Sequence, residues 1–174
     1  VGCVGAKLYS PDRSVQHAGV VLGIGGVAGH SHKYFPGHAD GYFGRLRISH
    51  NVSAVTGAVL LLRKEVFDQV GGLNEDALAV AFNDVDLCLR LTQAGYRHVW
   101  TPFAELFHHE SKTRGSDSTP EKQARFARER DYMITTWGER LYRDPCYNPN
   151  LTLTHENYGL VMRLASIHES AKLQ

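Results

Sequence analysis

The sequence predicts an α/β fold, a mixed sheet flanked by helices, on three observations. Strand-like and helix-like runs alternate along the chain. The most apolar run, Ser53 to Leu62 (SAVTGAVLLL), has the length and composition of a strand in a sheet interior. Two other stretches, 83–94 and 118–141, carry apolar residues at helical spacing and are bounded by helix start or stop signals.

Taken in order, Gly2 to Tyr9 and Val15 to Leu22 read as strands joined by the turn Ser10-Pro11-Asp12-Arg13, so the chain opens as a hairpin. A glycine cluster follows, Gly23 to Gly29, but no helix opens after it, and the dinucleotide-cradle reading lacks its context. The segment from Gly23 to Gly44, with His30, His32 and His38, reads as a solvent-facing flap or a metal-binding loop. After the strand at 53–62, Arg63 to Val70 is a short helix stopped by Gly71-Gly72. Asn83 serves as N-cap of the next helix, which Gly95 ends. Tyr96 to Trp100 and Ala104 to Phe107 are two strands parted by Thr101-Pro102. Ser118-Thr119-Pro120-Glu121 announces the last helix. Phe126, Met133, Trp137 and Leu141 form its apolar stripe, with Arg125, Arg128, Glu129 and Arg130 on a solvated face.

At 174 residues the chain is long enough for one domain with a true core. Hydrophobic residues are 43% and charged residues 21%, which excludes a disordered chain. The net charge of +1 offers no basic field for nucleic acid. Cys3, Cys88 and Cys146 lie far apart in sequence, against a disulfide framework or a Cys-rich zinc site. They fit a reducing, cytoplasmic setting. No apolar run reaches the roughly 18 residues that a membrane span requires.

Two places carry candidate chemistry. Asp84 and Asp86 fall in the first turn of a helix, where carboxylates complement the dipole whether or not they have another task. Because this Asp-Val-Asp triplet opens a helix, it is not read as a metal-binding Asp-x-Asp at a strand end. Arg90 stands four residues after Asp86, at ion-pair spacing. His108-His109 follows a strand, and by alternation only one of the pair shares the direction of Leu106. A neutral imidazole there suits a divalent cation. Lys112 and Arg114, just beyond, suit a diphosphate as point charge and planar fork, or are simply a solvated loop.

The motifs Thr56-Gly57-Ala58, Val70-Gly71-Gly72-Leu73, Asn83-Asp84-Val85-Asp86, Ala94-Gly95-Tyr96 and His108-His109-Glu110-Ser111 occur in that order. Together they resemble the C-terminal half of a family 2 glycosyltransferase domain of the GT-A fold. The likeness is to bacterial members that build polysaccharides such as rhamnose-containing O-antigen, and it covers residues 1–150, with 151–174 an irregular or helical tail. It implies that Asp84 is the catalytic base, with Asn83 standing where an acidic residue is commoner. It implies that His108 binds a divalent cation, Mg2+ or Mn2+. Thr56, Gly57 and Ala58 would line the sugar and acceptor pocket, and Asp86, Lys112 and Arg114 would bind substrate. The nucleotide-binding half, with the family's Asp-x-Asp, would precede Val1, so the expectation is an inverting, metal-dependent transferase whose isolated 174 residues are inactive. The expected partners are a nucleotide-sugar donor and a glycan or lipid-linked acceptor, with peripheral membrane association of the full protein open. Two other readings stand beside it: a non-catalytic carbohydrate-binding or assembly module on the same scaffold, and a metallohydrolase using His30, His32, His108 and His109.

Overall fold

The computed structural model of the chain describes residues 1–109 and 119–161. Its hub is strand β1, Cys3–Tyr9. One edge of β1 pairs in parallel with β7, His98–Phe107. The other edge pairs antiparallel with two short strands, β6 (Leu60–Leu62) near its start and β2 (Val15–His17) near its end. Strand β5, His50–Val52, adds antiparallel to β7. The sheet is therefore mixed, as the sequence predicts. Strands β3, Val20–Leu22, and β4, Ala28–His30, form a separate antiparallel pair.

Three helices are described: α1 at Lys64–Gln69, α2 at Asn83–Gln93 and α3 at Pro120–Trp137. Leu87, Cys88 and Leu91 of α2 are fully buried, in one cluster with Trp100 of β7 and with Met133 and Trp137 of α3. The Trp100 indole donates to the Ala6 carbonyl at 3.0 Å, tying β7 to β1 through a side chain as well as the ladder. Cys3, Cys88 and His98 are distant in sequence yet place their ligand-capable atoms within 4.8 Å of one another. His98 has both ring nitrogens engaged there, Nδ1 accepting from the Cys3 N–H and Nε2 bonded to the Cys88 carbonyl, so the trio interlocks β1, α2 and β7.

The structure corrects several sequence expectations. The run from Val15 to Leu22 is broken into β2 and β3 at Gly19, whose φ of +93° suits glycine. A Cβ there would also lie 2.5 Å from Val52 Cγ1. The apolar run 53–62 is a strand only at Leu60–Leu62, and Thr56-Gly57-Ala58 forms a turn. The N–H groups of Thr56 and Gly57 go to the side chains of His17 and Asp84 instead of to a neighbouring strand. The two strands expected around Pro102 are one strand with a slip. Ala6 faces Thr101 and Lys7 faces Glu105, so residues 102–104 bulge out where proline has no N–H to give.

Phe82, not Asn83, is the residue before α2, held at φ +63°. Thr119 caps α3 by accepting from the Lys122 N–H. Glu129 is not on a solvated face: it is buried, with both carboxylate oxygens engaged. Nor is the 23–44 segment a solvent-facing flap throughout. His32 is wholly buried, its Nε2 accepting from the Tyr42 N–H and its Nδ1 bonded to Ser31 Oγ. Residues past 150 share in the packing: Leu151 and Tyr158 are buried, and Tyr158 stacks on His32 at 4.4 Å.

That buried imidazole sets a pH dependence. Burial, with the Arg45 charge second, pulls the His32 pKa down to about 3. The unfolded chain takes up that proton near pH 6.5 and the folded chain only near pH 3, so acid favours unfolding across that window. The stabilisation is complete above pH 6.5 and is lost as pH falls toward 3. Thermal melts from pH 7 to pH 4 should show the midpoint falling, and His32→Gln should flatten the slope. Parallel slopes in the two proteins would refute this assignment.

Candidate active site

A cleft of about 560 Å3 opens where α2 begins. Its wall is built from three places in the sequence: the turn Thr56-Gly57-Ala58, the segment from Val80 to Val85, and His108-His109 at the end of β7. Ala28, Gly29 and His30 close one side, and Arg125 and Phe126 of α3 another. The structure thus brings Asp84, Thr56, Gly57, Ala58 and His108 together, as the sequence motifs suggested. Lys112 and Arg114 lie outside the described residues.

Asp84 is the only acidic side chain among the described residues lining this cleft. It is aimed by backbone. Gly57 donates its N–H to Asp84 Oδ2 at 2.8 Å, and Val85 donates to Oδ1 at 2.8 Å. Oriented N–H groups at a helix start hold the plane of the carboxylate. The left-handed backbone at Phe82 sets the angle at which the helix enters, a costly conformation for a bulky residue and one that recurs at functional sites. Phe82 is braced by the Phe126 ring, 5.4 Å away.

Asp86 faces the other way. Only 1% of its surface is exposed, and it is absent from the cleft lining. Its Oδ2 accepts from Arg90 Nε at 2.8 Å and its Oδ1 from Trp137 Nε1 at 3.0 Å. Arg90 continues to the carbonyls of Val70 and Gly72 beyond α1. The expected ion pair is present, but the expected substrate contact is not: Asp86 fastens α1, α2 and α3 together behind the cleft.

His108 is oriented by reciprocal bonds with Gln16. The Gln16 amide donates to the His108 carbonyl at 3.3 Å, which identifies its nitrogen. Its oxygen therefore accepts from His108 Nδ1, at 2.8 Å. In the neutral ring the proton sits on Nδ1 and the lone pair on Nε2, the arrangement a metal ligand needs. His109 is exposed and lines the same cleft; both histidines lie just past the end of β7, so strand alternation does not separate them as expected.

Sequence reasoning passed over Glu129. Its two oxygens accept from the N–H groups of Val80 and Ala81 at 3.0 and 2.9 Å, fixing the chain that leads into Asp84. The signal was present: Glu129 stands three residues after Phe126 and four before Met133, on the apolar stripe itself. Glu129→Gln replaces one acceptor oxygen by a donor facing an N–H, leaving a buried group unpaired. Urea unfolding should show a loss of about 1–3 kcal/mol. A change below about 0.5 kcal/mol, typical of a surface site, would contradict this role.

A larger groove, about 750 Å3, lies beside the ends of β1 and β7, lined by residues including Tyr9, Tyr34, Glu105 and Phe107. It holds none of the residues the motifs single out, so size does not locate the chemistry here.

The family described as glycosyl transferase family group 2 matches residues 8–166. Protein y4gI of Sinorhizobium fredii, an uncharacterized protein, is 59% identical over 160 residues, 92% of this chain and 18% of its own length. The O-antigen biosynthesis protein RfbC of Myxococcus xanthus is 42% identical over 165 residues, 92% of this chain and 12% of its own length. An N-acetylglucosaminyl-diphospho-decaprenol L-rhamnosyltransferase of Mycobacterium tuberculosis is 41% identical over 66 residues, 38% of this chain and 21% of its own length. The chain thus spans a small part of each of these relatives. No solved structure matches it.

Proposed function

The chain belongs to glycosyl transferase family group 2, and from that premise we propose that it forms the acceptor-side part of an inverting, metal-dependent sugar transferase. The observation that carries the reading is the shared cleft: a backbone-aimed carboxylate, Asp84, and an imidazole with its lone pair on Nε2, His108, face one cavity. In this reading the donor is a nucleotide sugar, and the acceptor is a glycan or a lipid-linked sugar. The printed names of two relatives, O-antigen biosynthesis and rhamnosyl transfer to a decaprenol-linked sugar, favour surface polysaccharide as the product. The work would take place in the cytoplasm, at the inner face of the membrane. No helix among the described residues is long and apolar enough to cross one.

Asp84 takes the proton from the acceptor hydroxyl as that oxygen attacks the anomeric carbon. Its two N–H contacts keep the carboxylate pointed at the cleft through the transfer. The turn Thr56-Gly57-Ala58 forms the wall against which the sugars lie. Small side chains there leave room for a ring. His108 Nε2 would hold Mg2+ or Mn2+, and the cation, when bound, neutralises charge on the departing diphosphate. Asp86 contributes by fixing the helix that carries Asp84.

The reading also holds that the remaining nucleotide-binding parts come from outside these 174 residues, so the isolated chain releases no nucleoside diphosphate. Turnover by the isolated chain would overturn that part. The stereochemical claim is tested by NMR of the product formed by the full-length protein. The anomeric configuration should be opposite to that of the donor, and a product with retained configuration would rule out direct attack assisted by Asp84.

A further inference from the structure

The groove beside the ends of β1 and β7 is lined by aromatic rings that the core does not enclose. Tyr9 and Phe107 stand opposite each other in the parallel register, their rings 5.8 Å apart and tilted by 41°. Phe107 is 52% exposed, and Tyr34, from the segment that follows β4, is 71% exposed. Both tyrosine rings are backed by an ammonium, Lys7 over Tyr9 at 5.0 Å and Lys33 over Tyr34 at 5.1 Å. Tyr34 is held at φ +69°, a costly conformation for a bulky residue. Its backbone is paired all the same. Tyr34 donates its N–H to the Val15 carbonyl at 2.8 Å, and Val15 donates to the Phe35 carbonyl at 2.7 Å. Lys7 Nζ donates to the Gly37 carbonyl at 3.1 Å, and a Cβ at Gly37 would lie 2.5 Å from the Arg13 carbonyl oxygen. The walls are therefore fixed before any ligand arrives. Exposed rings on a fixed backbone mark a binding surface.

The polar groups of the groove narrow the class of ligand. Among the described residues its charged lining is of both signs, with Asp12 and Glu105 beside Arg13 and His38. The Tyr9 hydroxyl donates to Glu105 Oε1 at 2.8 Å and fixes that carboxylate next to the rings. A polyphosphate calls for one sign of charge, and a lipid tail calls for none. Ring faces set among both donors and acceptors suit a molecule with C–H faces and hydroxyl edges, which is a sugar ring. The volume of about 750 Å3 falls within the range of small-molecule sites, about 300–1,000 Å3. The groove also lies next to the chemistry. Phe107 lines the groove and His108 lines the cleft, and the His108 N–H is bonded to the Tyr9 carbonyl at 2.9 Å.

We propose that this groove binds a neutral oligosaccharide, the part of a growing glycan that lies behind the sugar reacting at Asp84. Its role as an acceptor site rests on the sugar-transfer reading. The binding of a glycan there does not.

The test is binding of the full-length protein to an array of immobilised bacterial oligosaccharides, neutral and acidic. Neutral chains should be retained. Tyr34→Ala should weaken their binding by about tenfold, the worth of one aromatic face covered. Tyr34→Trp, which keeps a ring in place, should preserve it. Phe43→Ala removes a ring that is 89% exposed but outside the groove, and it should bind as the unaltered protein does. In the transfer assay Tyr34→Ala should raise the acceptor KM and leave kcat unchanged. No neutral glycan retained, a preference for acidic chains, equal binding by Tyr34→Ala, or an equal loss in Phe43→Ala would each overturn the proposal. Glycan binding that Tyr34→Ala weakens, with no nucleotide sugar consumed by the unaltered protein, would sink the sugar-transfer reading and leave the groove standing as a glycan site. Intact transfer, with array binding and acceptor KM both unchanged in Tyr34→Ala, would do the reverse.

Discussion

Asp84→Asn should lower sugar transfer by the full-length protein by about 10²- to 10⁴-fold, the usual worth of a general base. The loss should appear in kcat, with the donor's KM little changed, because the group acts on the proton that moves in the transition state. The fold should survive. Asparagine keeps an oxygen that can accept from Gly57, the contact at 2.8 Å; it gives up the one from Val85, a smaller loss than at buried Glu129 because Asp84 is only half-buried and lines the open cleft. An amide that holds its place but takes no proton isolates the chemical role from the structural one. A variant that unfolds, or one that transfers sugar at the original rate, would return Asp84 to being a carboxylate at a helix start.

Asp86→Ala should do the opposite, damaging the fold far more than any single step of chemistry. The substitution leaves the Trp137 indole N–H without its acceptor and the Arg90 guanidinium without its carboxylate, both in the buried joint between helices. Breaking a buried pair on one side costs about 3–5 kcal/mol. For a domain of this size that is a fall in melting temperature on the order of 10 °C. Arg90 is partly exposed and still reaches the Val70 and Gly72 carbonyls, which places the expected loss toward the lower end of the range. Chemical denaturation of the variant checks it, and a loss below about 1 kcal/mol would contradict the joint described. The contrast is the point: two carboxylates two residues apart, one aimed into the cleft and one aimed into the core.

That contrast was only half legible in the sequence. Helical spacing placed Asp84 and Asp86 in one first turn and paired Asp86 with Arg90, which is what the structure contains. Which of the two faces the cleft depends on α3, whose Trp137 lies 51 residues away and claims Asp86. Local periodicity carries no information about such a partner. The strand expected over 53–62 failed for a related reason. Its composition is that of a buried strand, but His17 and Asp84 take the N–H groups that a ladder would need. His108 was legible as the end of a strand, while its orientation waits on Gln16, which the sheet brings to it from 92 residues earlier. Glu129 was legible in principle, since a carboxylate on an apolar stripe implies a buried partner. His17 was hidden, because nothing in Val15-Gln16-His17 shows that its ring will be enclosed and bonded on both nitrogens.

The most direct test of the central claim is release of nucleoside diphosphate by the full-length protein. The common nucleotide sugars would be offered one at a time, with Mg2+ or Mn2+ and a glycan or lipid-linked acceptor. The account predicts that one donor is consumed, that a chelator stops its consumption, and that His108→Ala shifts the metal requirement to higher concentration. Consumption that continues in excess chelator, or no consumption of any donor by the folded protein, would contradict it and leave a sugar-binding module on a transferase scaffold as the better description.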